Sequence, residues 1–239
     1  MMDKALTKTI PIVCPLLADP ERLGLIKSDA RPGGNVTGLL EWVEGLPGKH
    51  LELVRDLIPS VTKIGLVVNP DNIHSLIQRR ELETAAATKD IKIVSIEAPP
   101  QDVDSIFPTL SRDRVDAVIV LRDSMFYGER GPIAASAMAV RLPTVYGFRE
   151  QVDAGGLISY GVSVLENFRS AAAAACTWSF AAFGQASDKR PRRIGYISAG
   201  SPVTGAQNPV AFLEGMRAHG YVEGRDIEID YRWAEGHSE

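Results

Sequence analysis

Apolar residues along this chain follow two alternating rhythms. Short runs, "KTIPIVCPLL", "TKIGLVVNP", "IKIVSIEA", "VDAVIVLRD", "LPTVYGF" and "GLISYG", read as strands closed by polar or glycine-containing turns. Between most of them the spacing is helical. In "LPGKHLELVRDLIP", Leu51, Val54, Leu57 and Ile58 recur on one face and Pro59 ends the helix. Residues 73–90 repeat the pattern. Asp102 is placed to cap "VDSIFPTLSR", in which Pro108 shortens or kinks the helix. "ERGPIAASAMAVR" and the shorter "REQVDAG", closed by Gly155, are further helices, and Ser163 or Glu166 opens another. Continuous apolar strands alternating with helices predict an α/β fold on parallel sheets.

The same grammar restarts near the end of the chain. "RRIGYISAG" is a strand, "NPVAFLEGMRAHG" a helix with Asn208 as N-cap and Gly220 at its exit, and "YVEGRDIEIDYRWAEG" a loop and a strand. Just before this restart, Ala171–Ala186 has the make-up of an export signal: an Ala-rich apolar core, small residues, then a charged linker. It is too short to span a bilayer.

Composition narrows the function classes. The chain has 239 residues, and its formal charge of −4 argues against a nucleic-acid-binding surface, which needs a basic stripe. The cluster Lys189, Arg190, Arg192 and Arg193 is short and reads as a solvated linker. Cys14 and Cys176 have no partner at CxxC or metal-ligand spacing, and Cys14, inside an apolar run, reads as a buried structural thiol. Four scattered histidines form no HExxH pair, so no metal is expected. "YISAGSP" is not a GxSxG elbow, no GxxxxGK[ST] loop occurs, and "ARPGGN" lacks the dinucleotide fingerprint. The chain is therefore read as a non-enzyme without a cofactor.

One set of segments carries a resemblance. "RRIGYISAGSP", "FLEGMRAHGYVEGRDIEIDYRWAEG", "KTIPIVCPLLADP", "ARPGGNVTGL", "NPDN" and "YGFREQVDAGGLISYG" together resemble the ABC-transporter solute-binding proteins of the tryptophan/tyrosine type. Their order here is exchanged. In the family, the unit like Arg192–Gly236 comes first, behind a signal peptide, and the unit like Lys8–Gly161 follows. The resemblance implies a two-lobed periplasmic-binding-protein type I fold of open parallel sheets flanked by helices, with one lobe permuted and incomplete. Residues 1–40 are expected to form a first-lobe segment and crossover, and 41–151 a complete second lobe. Residues 152–175 return to the first lobe, 176–191 are a signal-peptide-like remnant or linker, and 192–239 are the first-lobe segment that normally leads the chain. Recombination between tandem gene copies accounts for that order; a true circular permutation and an ordinary Ala-rich helix are the alternatives.

By that resemblance, the chain captures a small solute, an aromatic or other amino acid, in an interlobe cleft and delivers it to an ABC permease. A non-functional recombinant remnant and the ligand-binding core of a regulator are the competing readings. The family is periplasmic, whereas the segment "MMDKALTKTIPIV" has no signal-peptide core, so export unaided is not expected. Self-association through the incomplete lobe is expected. Ligands of open α/β sheets bind outside the carboxyl ends of the strands, and there the sequence places polar loops. Ser198 and Ser201 suit a carboxylate, Asp19 and Asp123 an ammonium group, and Phe126 and Tyr146 a ring. Asn69, Asp71 and Arg149 complete the candidate set, with Gly33, Gly34 and Gly38 as hinge residues. Capping by Asp19, Asn69 and Asp71, and a turn at Ser201-Pro202, are the structural alternatives at these loops.

Overall fold

The computed structural model describes residues 10–17, 20–41, 45–98, 103–182, 191–198, 203 and 205–233. In chain order the elements are β1 (Ile12–Leu17), β2 (Val36–Leu40), α1 (Leu46–Leu57), β3 (Lys63–Val68), α2 (Ile73–Ala87), β4 (Lys92–Glu97), α3 (Val103–Arg112) and β5 (Ala117–Val120). They continue with α4 (Ser124–Gly128), α5 (Arg130–Ala139), β6 (Thr144–Tyr146), α6 (Arg149–Asp153), β7 (Ile158–Ser159), α7 (Val164–Ala182), β8 (Arg192–Ser198), α8 (Gln207–Ala218) and β9 (Ile227–Trp233). The chain divides into two compact units, Val43–Ser163 and a second made of Met1–Trp42 with Val164–Glu239.

The Val43–Ser163 unit is built on one sheet of order β4-β3-β5-β6-β7, with every neighbouring pair parallel. The reason lies in its strands. Ile64, Leu66 and Val68 of β3 pack with Leu51 and Val54 of α1 and Leu82 and Ala86 of α2 on one face. Val67 of β3 and Val118 and Val120 of β5 pack with Phe107 and Leu110 of α3 and Ile133 of α5 on the other. Strands buried on both faces must be apolar throughout, so β3 and β5 show continuous runs and no alternation. The chain begins in the middle at β3, goes out to β4, then crosses back over β3 to β5. The reversal between β3 and β5 is the topological switch point, beside which ligands of such sheets bind.

"GLISYG" belongs to this sheet: Ile158 and Ser159 pair with Val145 and Tyr146. The return segment expected at residue 152 therefore begins at Val164. The five-residue α4 carries no periodicity to read, and it is set by Asp123, whose carboxylate accepts from the Met125 N–H at 2.8 Å. Pro108 lies inside α3, which runs on to Arg112.

In the second unit, β1 pairs with β2 and β8 with β9, both in parallel, as separate two-stranded sheets among the described residues. Tyr196 of β8 gathers Phe168 of α7, Phe212 of α8, and Tyr231 and Trp233 of β9, at ring-centroid distances of 5.5–6.3 Å. Residues 171–182 of the Ala-rich stretch form the latter part of α7, so the helix extends into the segment expected from residue 176 to be a remnant or linker. Ala171, Ala172 and Cys176 are buried, and the Cys176 thiol lies 3.5 Å from Met216 Sδ of α8. Small side chains are what allow these two helices to approach closely. Residues 183–190, the rest of the expected linker, lie outside the described residues. Cys14, expected to be buried, is half-buried, with its thiol donating to the Leu16 carbonyl at 3.3 Å.

Candidate functional site

The loops that leave β3 and β5 meet at the switch point. Asn69 and Asn72 each aim a side-chain amide at the same carboxylate oxygen: Asn69 Nδ2 donates to Asp123 Oδ2 at 3.0 Å and Asn72 Nδ2 at 2.8 Å. With Met125 N–H on Oδ1, Asp123 accepts three hydrogen bonds while only 1% exposed. Burial pushes its carboxyl above the usual range, and the donors from Asn72, Met125 and Asn69 act against that rise. Asn72 also caps α2 through the His74 N–H at 3.0 Å. Asn69 Oδ1 accepts from the backbone of Asp71 at 3.1 Å, an Asx turn that leaves Asp71 exposed. The capping role that sequence allowed for Asn69 and Asp71 falls to Asn72 and Asp123 at this edge.

Behind this bracket sits a second one. Gln78 of α2 accepts from Arg122 N–H at 3.1 Å and donates to the Arg122 carbonyl at 2.9 Å, so one amide fixes the backbone where β5 turns. The Arg122 side chain is 2% exposed, with its guanidinium 5.0 Å from the Phe148 ring centroid. His50 of α1 is buried and donates from Nε2 to the Tyr160 carbonyl at 2.6 Å. Burial, and to a smaller degree the Arg122 charge, hold its imidazole below the usual range against that bond. Glu150 is also buried and accepts from Ser163 Oγ at 2.7 Å.

The expected site residues divide by location. Asn69, Asp71 and Asp123 come together at the switch point. Arg149 is exposed at the start of α6, after β6. Phe126 and Tyr146 follow β5 and end β6, but both rings lie wholly in the core with Val118 and Val120. Burial pushes the Tyr146 hydroxyl up to about 12. Ser198 ends β8 in the other unit, and Asp19 and Ser201 lie outside the described residues. Of the hinge glycines, Gly33 has the left-handed φ of +66° that suits a flexible turn, and Gly34 has open space around it. Gly38 is inside β2, paired with Cys14, where a Cβ would fall 2.0 Å from the Cys14 carbonyl oxygen. What it supplies is room for strand pairing, not hinge freedom.

Gln78, Arg122, His50 and Glu150 were not singled out from sequence. Gln78 had a signal, because Ser75, Gln78, Leu82 and Ala86 form one buried helical stripe with two polar members at its start. His50 occupies the same kind of stripe with Leu51 and Val54. Among the described residues, no group of three or more His, Cys, Asp or Glu is placed to hold a metal ion. No helix there is long and apolar enough to cross a membrane.

Several known proteins are similar to this chain in sequence or in fold. The Tyrosine-binding protein of Clostridioides difficile (strain R20291) is 29% identical over 157 residues, 65% of this chain and 45% of that protein. The crystal structure of a conserved domain protein from Vibrio cholerae is similar at a TM-score of 0.62 and 28% identity, covering 73% of this chain and 59% of that one. A ligand-free, open substrate-binding protein with adhesive properties from Clostridium difficile covers 95% of this chain and 73% of its own, at a TM-score of 0.54 and 20% identity. The chain thus spans less than half the length of the curated relative and about three-fifths of the Vibrio structure. The fold is that of the type I periplasmic-binding proteins. The profile of ABC transporter substrate binding proteins matches residues 2–176, and the chain belongs to that family.

Proposed function

We propose that this chain is the solute-capturing component of an ABC importer, working outside the cytoplasm, and that its solute is an aromatic amino acid. The observation that carries the reading is the double bracket at the switch point, Asn69 and Asn72 on Asp123 and Gln78 on Arg122. It spends buried polar groups on rigidity where an open parallel sheet receives its ligand. Capture requires a preformed polar rim of this kind and no reactive group. The tyrosine-binding relative supports the ligand class. A permease of the ABC type is the partner that follows from importer function. Asp71 and Arg149, exposed at the same strand ends, supply opposite charges suited to the ammonium and carboxylate of a zwitterion.

The exchanged order of segments is part of the same proposal. It is supported by a compact unit assembled from both Met1–Trp42 and Val164–Glu239. Sequencing the flanking DNA tests its origin: halves of a second, similar gene on either side support recombination, and their absence refutes it.

The functional test is calorimetric titration of the purified chain with L-tyrosine, L-tryptophan, L-phenylalanine, L-leucine and a neutral sugar. Saturable binding of the aromatic amino acids is expected, with a rise in melting temperature, since a ligand at a hundredfold excess over its Kd adds about 2.7 kcal/mol to the folded state. Binding of the sugar in preference to every amino acid overturns the ligand class.

A further inference from the structure

The Val43–Ser163 unit contains six aromatic side chains between residues 45 and 163: Phe107, Phe126, Tyr127, Tyr146, Phe148 and Tyr160. The first five are between 0% and 8% exposed, whereas Tyr160 is 46% exposed. Tyr160 directly follows β7, so it stands at the carboxyl end of the parallel sheet, on the rim where the Asn69 and Asp123 loops also emerge. Among the described residues of this unit, the ring available to a solute at that rim is therefore that of Tyr160. Phe126 and Tyr146 are committed to the core.

Tyr160 is also fixed in place more firmly than a surface ring requires. Its N–H donates to the Tyr146 carbonyl at 3.0 Å, and its own carbonyl accepts from the buried His50 at 2.6 Å. The His50 ring stands edge-on to the Tyr160 ring, with centroids 6.4 Å apart and planes at 85°. The next residue is Gly161, where a Cβ would lie 2.1 Å from the Gly147 carbonyl oxygen. The loop is thus pressed onto the turn after β6, and only glycine permits that approach. A backbone held on both sides presents the phenol face with little ordering left to do when a ligand arrives, which is how preorganisation raises affinity.

Resting on the aromatic amino acid reading above, we propose that Tyr160 is the aromatic platform of the binding site, on which the solute's ring packs, and that His50 is its positioning residue. Offset or edge-to-face packing on a tyrosine favours ring-bearing solutes beyond what burial alone gives. Tyr160 then selects tryptophan, tyrosine and phenylalanine over aliphatic amino acids that share the same zwitterionic end.

The experiment is calorimetric titration of the full chain and its Tyr160→Ala and Tyr160→Phe variants with L-tryptophan and with L-leucine, alongside unliganded melting curves. The alanine variant keeps both backbone hydrogen bonds, so it is expected to melt within a few degrees of the parent. Tryptophan affinity should fall about tenfold in Tyr160→Ala, remain near parental in Tyr160→Phe, and leave leucine affinity unchanged in both. His50→Ala should lower tryptophan affinity without changing that for leucine. Tryptophan binding that is untouched by Tyr160→Ala, or equal losses for tryptophan and leucine, overturns the platform and leaves the aromatic solute reading standing. A parent chain that binds no amino acid overturns both.

Discussion

A single side chain, Gln78, holds Arg122 by both ends of its peptide unit. Its Oε1 accepts from the Arg122 N–H at 3.1 Å and its Nε2 donates to the Arg122 carbonyl at 2.9 Å. Both residues are buried, so neither backbone group has water as an alternative. Replacing Gln78 with leucine keeps the volume close and removes both partners. Each of the two lost hydrogen bonds costs about 1–3 kcal/mol in a buried setting, so the variant should lose about 2–6 kcal/mol of stability. Urea unfolding checks this; a midpoint equal to the parent's would mean that the turn after β5 does not depend on the amide.

Asp123 should tolerate asparagine poorly. The carboxylate accepts from Asn69, Asn72 and Met125 N–H, three donors on two oxygens. In Asp123→Asn one of those oxygens becomes an NH2 group facing a donor. A loss of about 1–3 kcal/mol is expected, and Asp123→Ala should lose at least as much. Chemical denaturation of the two variants side by side is the measurement.

Much of the fold was legible because it depends on periodicity. β3 and β5 announced themselves as apolar runs, and α1, α2 and α5 as helical stripes, with Pro59 closing the first. What was missed turns on events between distant residues. Gly38 looks like hinge material in "ARPGGNVTG", yet its meaning comes from Cys14, 24 positions away, which pairs with it. Tyr146 and Tyr160 are both tyrosines at strand ends; only the packing of α3, α5 and β6 decides that the first is buried and the second exposed. Asp123 was read as a ligand group, and the structure adds its amide partners. The buried polar members of the helix stripes, Ser75 and Gln78 in α2 and His50 in α1, carried a readable hint.

Two aspartates of the same unit should titrate with opposite signs. Asp116 accepts from the N–H groups of Thr62 and Lys63, both at 2.9 Å, and chiefly the Thr62 bond holds its carboxyl below the usual range. Its contribution is present above the unfolded value and is lost as pH falls through the folded one. Asp123 is raised by burial, so its linkage runs the other way: the stability tied to its proton is full below the unfolded value and is lost as pH rises through the folded one. The stability gap between the parent and Asp116→Asn should therefore shrink between pH 7 and pH 3. The gap between the parent and Asp123→Asn should widen over that interval. Unfolding at a series of pH values separates the two, and parallel curves would refute the assignment.

The closeness of α7 and α8 gives a test in which the same substitution has opposite effects at two sites. At Gly215 of α8 a Cβ would lie 2.5 Å from the Arg169 carbonyl oxygen and 2.7 Å from Ala172 Cβ. At Gly48 of α1 it would meet nothing within 4 Å. Gly→Ala in a helix gains about 0.4–1 kcal/mol where the backbone accepts it, because the unfolded chain loses freedom. Overpacking costs about 1–3 kcal/mol, more so when the obstacle is backbone that cannot rotate away. At Gly215 the cost exceeds the gain, so Gly215→Ala should destabilise by about 1–2 kcal/mol, with faster amide exchange in α7 and α8 and little change in the Val43–Ser163 unit. At Gly48 no cost opposes the gain, and Gly48→Ala should be neutral to stabilising. If Gly215→Ala stabilised the chain as well, α7 and α8 would not be in the close contact that makes the Ala-rich stretch part of the folded unit.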